Sequence, residues 1–197
     1  MHPILPGLVT SPSALFDERG RPDFRDVFGT LARTALEIAT AVTRVRLSTV
    51  DLTRAEVSQL RSFRVLVTEM NALRLDAEAR GLQADPRRAP NAELLRELLE
   101  SGRLEIRSSP LAGWSPDFSV FYSEAGPSTV LTGTHWFERP YPHRGPAFGA
   151  VHAGDAARLA AKRHRDVWER AHDVGPAVWS ILSKARRRST AGNLRAG

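Results

Sequence analysis

The 197 residues contain no cysteine. Disulfides, thiolate-bound zinc and a cysteine nucleophile are therefore excluded. No run of about eighteen apolar residues occurs, so no membrane span is expected. The opening "MHPILPGLVTSPSALF" lacks both a basic n-region and a continuous apolar stretch, so no secretory leader is read there and the expected location is the cytoplasm. No internal repeat is visible at any period. The carboxylates Asp117, Glu124 and Glu138 follow no known metal-loop spacing, and neither a metal nor a cofactor is expected.

What remains is 42% hydrophobic and 25% charged, enough for one sizeable core and too little for two. The net charge of +6 is concentrated at one end. From Arg158 to Gly197 ten Lys/Arg face only Asp166, Glu169 and Asp173, a balance of +7, and the first 157 residues carry 18 basic against 19 acidic side chains, or −1. A localised basic segment is the footprint of a nucleic acid or an anionic membrane, although basic tails also serve solubility alone.

Residues 1–22, rich in Pro, Gly and Ser, read as an irregular N-terminal arm. Asp23 caps a helix in which Phe24, Val27, Phe28, Leu31, Ala35, Ile38 and Val42 recur at steps of three and four. "VRLSTV" (45–50) alternates like a strand. Thr53 and Glu56 form a capping box that opens a helix through about Phe63. "RVLVTEM" suits either a strand followed by a helix over 70–80 or one continuous helix, and the strand at Val65–Val67 is preferred. Asn91 caps the helix "AELLRELLESG", which closes on Gly102. Strands follow at 104–108, "DFSVFYS", "TVLTG" and "AFGAVHA", with the proline-rich loop "ERPYPHRGP" between the last two. The helix "AARLAAKRHRDVWERAHD" ends at a Gly175–Pro176 break, and a short basic helix and tail (175–197) close the chain. Helices and strands alternate early and strands cluster late, which implies an α/β sandwich.

Over residues 24–174 this order resembles a single-copy phospholipase D-like domain: a mixed sheet flanked by helices, here spanning 23–174. The most specific segments are "PDFSVF" and "VLTGTHWF". The superfamily carries a His-x-Lys-x4-Asp motif, in which the histidine attacks phosphorus, the lysine neutralises phosphate oxygens and two half-sites meet across a dyad. Superposing that motif places Ser115 at the histidine, Asp117 at the lysine and Tyr122 at the aspartate. A carboxylate at the lysine position repels phosphate, and a serine without an adjacent base is no nucleophile. Gly133 and Thr134 match the phosphate-facing loop, where Trp136 replaces an asparagine. The resemblance thus implies a pseudoenzyme that keeps the scaffold and the homodimer interface, as in related domains that serve as sensing or dimerising parts of transcription regulators.

Three functional classes follow. In the first, a non-catalytic homodimer binds nucleic acid, DNA foremost, through Arg158, Lys162, Arg163, Arg165, Lys184, Arg186, Arg187 and Arg188, since guanidinium forks suit phosphates. A solvated helix face is the plain alternative, and membrane docking of the last amphipathic turn is weakened by its short apolar face. In the second, His135 and His143 act as a displaced nucleophile and acid pair in a phosphodiesterase or nuclease. The third is a ligand-sensing module whose phosphate loop is made by Ser115, Gly133, Thr134, His135, Arg139 and Arg144. Trp114, Trp136 and Tyr141 near that loop suit either base stacking or burial, whereas Trp168 and Trp179 suit core or subunit contacts.

Overall fold

The computed structural model of the chain describes residues 14–17, 24–45, 47, 50, 52–68, 70–84, 92–111, 114, 116–133 and 148–193. Its centre is three parallel strands: β2 (Glu37–Val42), β3 (Ser62–Val67) and β4 (Leu104–Ser108). Beside β2 runs an antiparallel meander of β5 (Asp117–Ser123), β6 (Gly126–Gly133) and β7 (Phe148–Ala153). The short strands β1 (Ala14–Asp17) and β8 (His172–Asp173) close the two edges, giving an eight-stranded mixed sheet of order β1-β7-β6-β5-β2-β3-β4-β8.

Helices cover both faces. The larger core lies under α1 (Phe24–Thr34), α2 (Arg54–Val57), α3 (Ala72–Ala84), α4 (Ala92–Glu100) and α6 (Gly175–Asn193), against Ile38, Val42, Phe63, Val65, Val67, Leu104, Ile106 and Phe121. The smaller core lies under α5 (Asp155–Trp168) alone, against Ala39, Ala41, Leu66, Phe118, Val120 and Val130. Successive strand residues alternate between these two cores, as the period of two requires, so β2 and β3 are buried on both sides like the parallel strands of other α/β proteins. Helices on both faces of one mixed sheet make the α/β sandwich that the order of elements implied.

Several local expectations change. The 1–22 segment contains β1, paired antiparallel with β7, so it is not irregular throughout. The first helix stops at Thr34, and Ile38 and Val42 belong to β2. A step of four places two residues on one side of a helix and also on one side of a strand, so their spacing fitted both. The described residues of 45–50 form no strand; Val45, Leu47 and Val50 are core residues of an irregular connection, where the Leu47 amide donates to the Glu78 carboxylate at 2.9 Å. The Thr53–Glu56 capping box is present, but its helix is a single turn. Residues 63–80 resolve into strand and helix, as preferred. The α5 helix ends at Trp168, before β8. Gly175 and Pro176 open α6, because a proline costs nothing in a first turn whose amides have no intrahelical partner. That helix is 19 residues long rather than short, and Val178 and Leu182 in it belong to the larger core.

Polar groups pin the layers together. Glu56, 3% exposed, receives both Arg25 guanidinium nitrogens (2.7 and 2.6 Å) and the Thr53 amide (2.8 Å). Burial pushes its pKa up, but these donors outweigh it and hold the carboxyl below its ordinary value. On the other face the His164 imidazole of α5, also buried, donates from Nε2 to the Thr40 carbonyl of β2 at 3.1 Å and stacks on Trp168 at 5.3 Å. Arg107 lies 4.5 Å over the same indole and donates to the Trp168 carbonyl at 3.2 Å.

Candidate functional site

Sheet register sets the start of β5 beside the end of β6, the two segments to which the resemblance assigns the motif and the phosphate-facing loop. Asp117, the first residue of β5, is the cross-strand partner of Val42 at the C-terminal end of β2. Its successor Phe118 pairs with Thr132, which sets Asp117 beside Gly133, and Gly133 in turn pairs with Gly149. Two adjacent glycines leave the backbone next to Asp117 bare of side chains. Hydroxyls line the neighbouring strand ends: Thr43 Oγ1 donates to the Pro116 carbonyl (3.4 Å) and Thr68 Oγ1 to the Thr43 carbonyl (3.3 Å). Behind them, on the same face as Asp117, Thr40 and Ser119 share a buried hydroxyl hydrogen bond of 2.8 Å.

Burial pushes the Asp117 carboxyl up to about 7, and the hydrogen bond from the Thr43 backbone only partly offsets it. Near neutral pH the group alternates between a neutral acid and an anion. Neither form supplies the positive charge that a phosphoryl oxygen requires.

Gly133 is the residue of the expected phosphate loop that falls among the described positions. Ser115, Thr134, His135, Arg139, His143 and Arg144 lie outside them, as do Trp136, Glu138 and Tyr141. Trp114 is half-buried against the smaller core, in keeping with burial. Trp168 is buried, while Trp179 is 40% exposed and donates from Nε1 to Glu100 at 3.1 Å. Among the described residues no three His, Asp or Glu side chains group as a metal site, and no described helix is long and apolar enough to cross a membrane.

The expected nucleic-acid residues divide between two faces. Arg158, Lys162, Arg163 and Arg165 are exposed along α5, over the smaller core, and Arg158 forms an ion pair with Asp155. Lys184 is exposed on α6, which packs on the opposite face against α3 and α4. Arg186, Arg187 and Arg188 continue α6, and their side chains are outside the described set. Among the described residues the sheet separates Lys184 from the α5 group.

Sequence reasoning missed the Thr40–Ser119 pair, His164 and Arg64. Their partners lie far away in the chain, and no local pattern signals them.

No protein-family model and no curated protein matches this sequence. Solved structures do resemble it. The phospholipase D family member Nuc from Salmonella typhimurium superposes with a TM-score of 0.54 at 13% identity, covering 83% of this chain and 98% of that one. A polyphosphate kinase from Porphyromonas gingivalis gives 0.50 at 15% identity, over 78% of this chain and 25% of that one. The archaeal chromatin protein TrmBL2 gives 0.47 at 16% identity, over 87% and 57%. The first two establish the class of fold, a phospholipase D-like domain. At these identities the likeness carries the fold and no activity.

Proposed function

We propose that this chain is a non-catalytic member of the phospholipase D superfamily, a homodimer that binds nucleic acid, DNA foremost, through its basic C-terminal helices. One observation carries the reading: the +7 balance over residues 158–197, against −1 for the rest. A surface of this kind attracts a polyanion by releasing its condensed counterions. Loss of catalysis is supported by Asp117, because a half-buried carboxyl that stays near neutrality occupies the position where the superfamily has its lysine.

The test is a fluorescence-anisotropy titration with a labelled DNA duplex at two salt concentrations. Affinity should be present at low salt and fall steeply as salt rises. Absence of binding at low salt, or binding indifferent to salt, rejects the reading. Light scattering should return twice the chain mass; a monomer removes the dimer from the proposal. Turnover of a chromogenic phosphodiester that is lost in His135→Ala would favour the displaced histidine pair instead.

A further inference from the structure

We propose that a backbone phosphate of the bound nucleic acid is held on the α5 face of the sheet by Arg165 together with two strand residues, Arg64 and the Tyr122 hydroxyl. This deepens the reading above and rests on it. It locates the interface on one of the two basic faces and extends it beyond the C-terminal helices.

The placement follows from register and alternation. Tyr122 on β5 and Glu37 on β2 are direct cross-strand partners. Arg64 on β3, partnered with Ala39, reaches back to Glu37 at 3.6 Å. All three share a face, two residues along the strand, with residues that pack under α5: Val120 with Tyr122, Ala39 with Glu37 and Leu66 with Arg64. Over the sheet α5 buries Ala156, Ala157, Ala160 and Ala161 in a cluster with Ala39, Ala41, Phe118, Val120 and Val130, and it lies mainly across β6 and β5, with β2 at its margin. Small side chains let the helix sit low, so longer ones at its margin emerge next to it rather than beneath it. The His164 hydrogen bond to Thr40 sets the rotation of the helix one residue before Arg165.

Arg165 and Arg64 both act electrostatically on the Tyr122 phenol, but burial outweighs them and raises its pKa. The hydroxyl therefore stays protonated at neutral pH and available as a donor. Two guanidinium groups are thus within electrostatic reach of the phenol on this face, and that set of donors suits phosphate oxygens. The opposing carboxylate is Glu37, whose pairing with Arg64 is long and joins two side chains each about 40% exposed. Glu105, on the same face of β4, lies 3.5 Å from Arg107.

The site also continues along the helix. Arg158, Lys162 and Arg165 fall at i, i+4 and i+7, one stripe about 10 Å long at 1.5 Å per residue. Phosphates of one DNA strand rise about 3.4 Å apart along the duplex axis, so the stripe faces roughly three of them.

The test compares wild type with Arg64→Ala, Arg165→Ala and Tyr122→Phe by anisotropy with a labelled DNA duplex across a salt series. Each arginine substitution should weaken binding about five- to tenfold and reduce the salt slope by about one. Tyr122→Phe should weaken binding roughly threefold at unchanged slope, since it removes a neutral donor. Should Arg64→Ala melt below the assay temperature, Arg64→Lys serves instead: the slope should persist while affinity falls with loss of the fork. Salt-dependent binding by wild type that is unchanged in all of these variants overturns this site and leaves the reading above standing. Failure of wild type to bind DNA overturns both.

Discussion

Asp117 and His164 sit against opposite faces of the β2–β5 pair, and burial acts on them with opposite consequences for stability. The folded pKa of Asp117 is raised to about 7, so its stabilising contribution is complete at low pH and is lost as pH rises through 7. The folded pKa of His164 is lowered to about 4 by burial, with the hydrogen bond to Thr40 only partly compensating, so stability falls as pH drops from 6.5 toward 4. Between about pH 4 and 6.5 the two slopes offset each other, and each single variant should expose the slope of the other group. Asp117→Asn should gain stability relative to wild type that is larger at pH 8 than at pH 5, by about 2 kcal/mol after allowing for partial exposure. His164→Gln should remove the acid sensitivity, leaving a variant that does not lose the roughly 3 kcal/mol that wild-type His164 forfeits on acidification. Urea denaturation of both variants and wild type at pH 4.5, 6.5 and 8 measures these differences, and parallel pH profiles for all three proteins would refute the assignment.

Among the elements, α1 and α2 meet closely at Gly29. Gly29 lies within α1, where helix propensity favours alanine by about 1 kcal/mol. Packing opposes that gain. An added Cβ would collide with Glu56 Oε1 and lie 3.0 Å from an Arg25 guanidinium nitrogen. A carboxylate at the end of a flexible exposed side chain would move aside, but Glu56 is buried and tied to Arg25 and to the Thr53 amide. Gly29→Ala should therefore destabilise by about 2 kcal/mol, the sign opposite to propensity, through loss of the buried ion pair. Thermal denaturation decides it, and a raised melting temperature would show that the carboxylate yields freely. At the start of α2, Thr53→Ala removes the hydroxyl that accepts from the Glu56 amide at 3.3 Å, with an expected loss of about 1 kcal/mol.

Across the whole molecule, the sheet keeps the two basic helices apart. Partly neutralised α5, with Asp155 and Asp166 among its exposed residues, and α6, whose terminal arginines follow Lys184 without any intervening acid, offer separate surfaces to a polyanion. Charge reversal of Lys162 and Arg165 together should cut DNA affinity by at least tenfold and flatten its salt dependence. Equal loss from reversal of Lys184 alone would place the principal contact on α6 instead. A lysine introduced by Asp117→Lys tests the other end of the sheet. Inorganic phosphate should raise the melting temperature of that variant and leave wild type unchanged, if the bare Gly133–Gly149 floor still admits an anion.

The strand and helix pattern from Ser62 to Gly133 was readable because apolar alternation, the Thr53–Glu56 box and the turn at Gly102 act over a few residues. The residue types along β5 were equally plain, Asp117 at its start among them. Local periodicity misassigned Ile38 and Val42, because a spacing of four satisfies both a helix and a strand, and it read 45–50 as a strand, whereas Val45, Leu47 and Val50 reach the core without being in one. Pairing decided what spacing left open. Registers between strands up to about 80 residues apart in sequence place Asp117 beside Gly133, Thr40 against Ser119, and Arg64 near Tyr122, and the passage from α5 through β8 to α6 sends two basic helices to opposite faces. Composition and short-range order are properties of consecutive residues and can be read along the chain; which charges share a surface depends on burial of both faces of one sheet, and the folded molecule alone sets it.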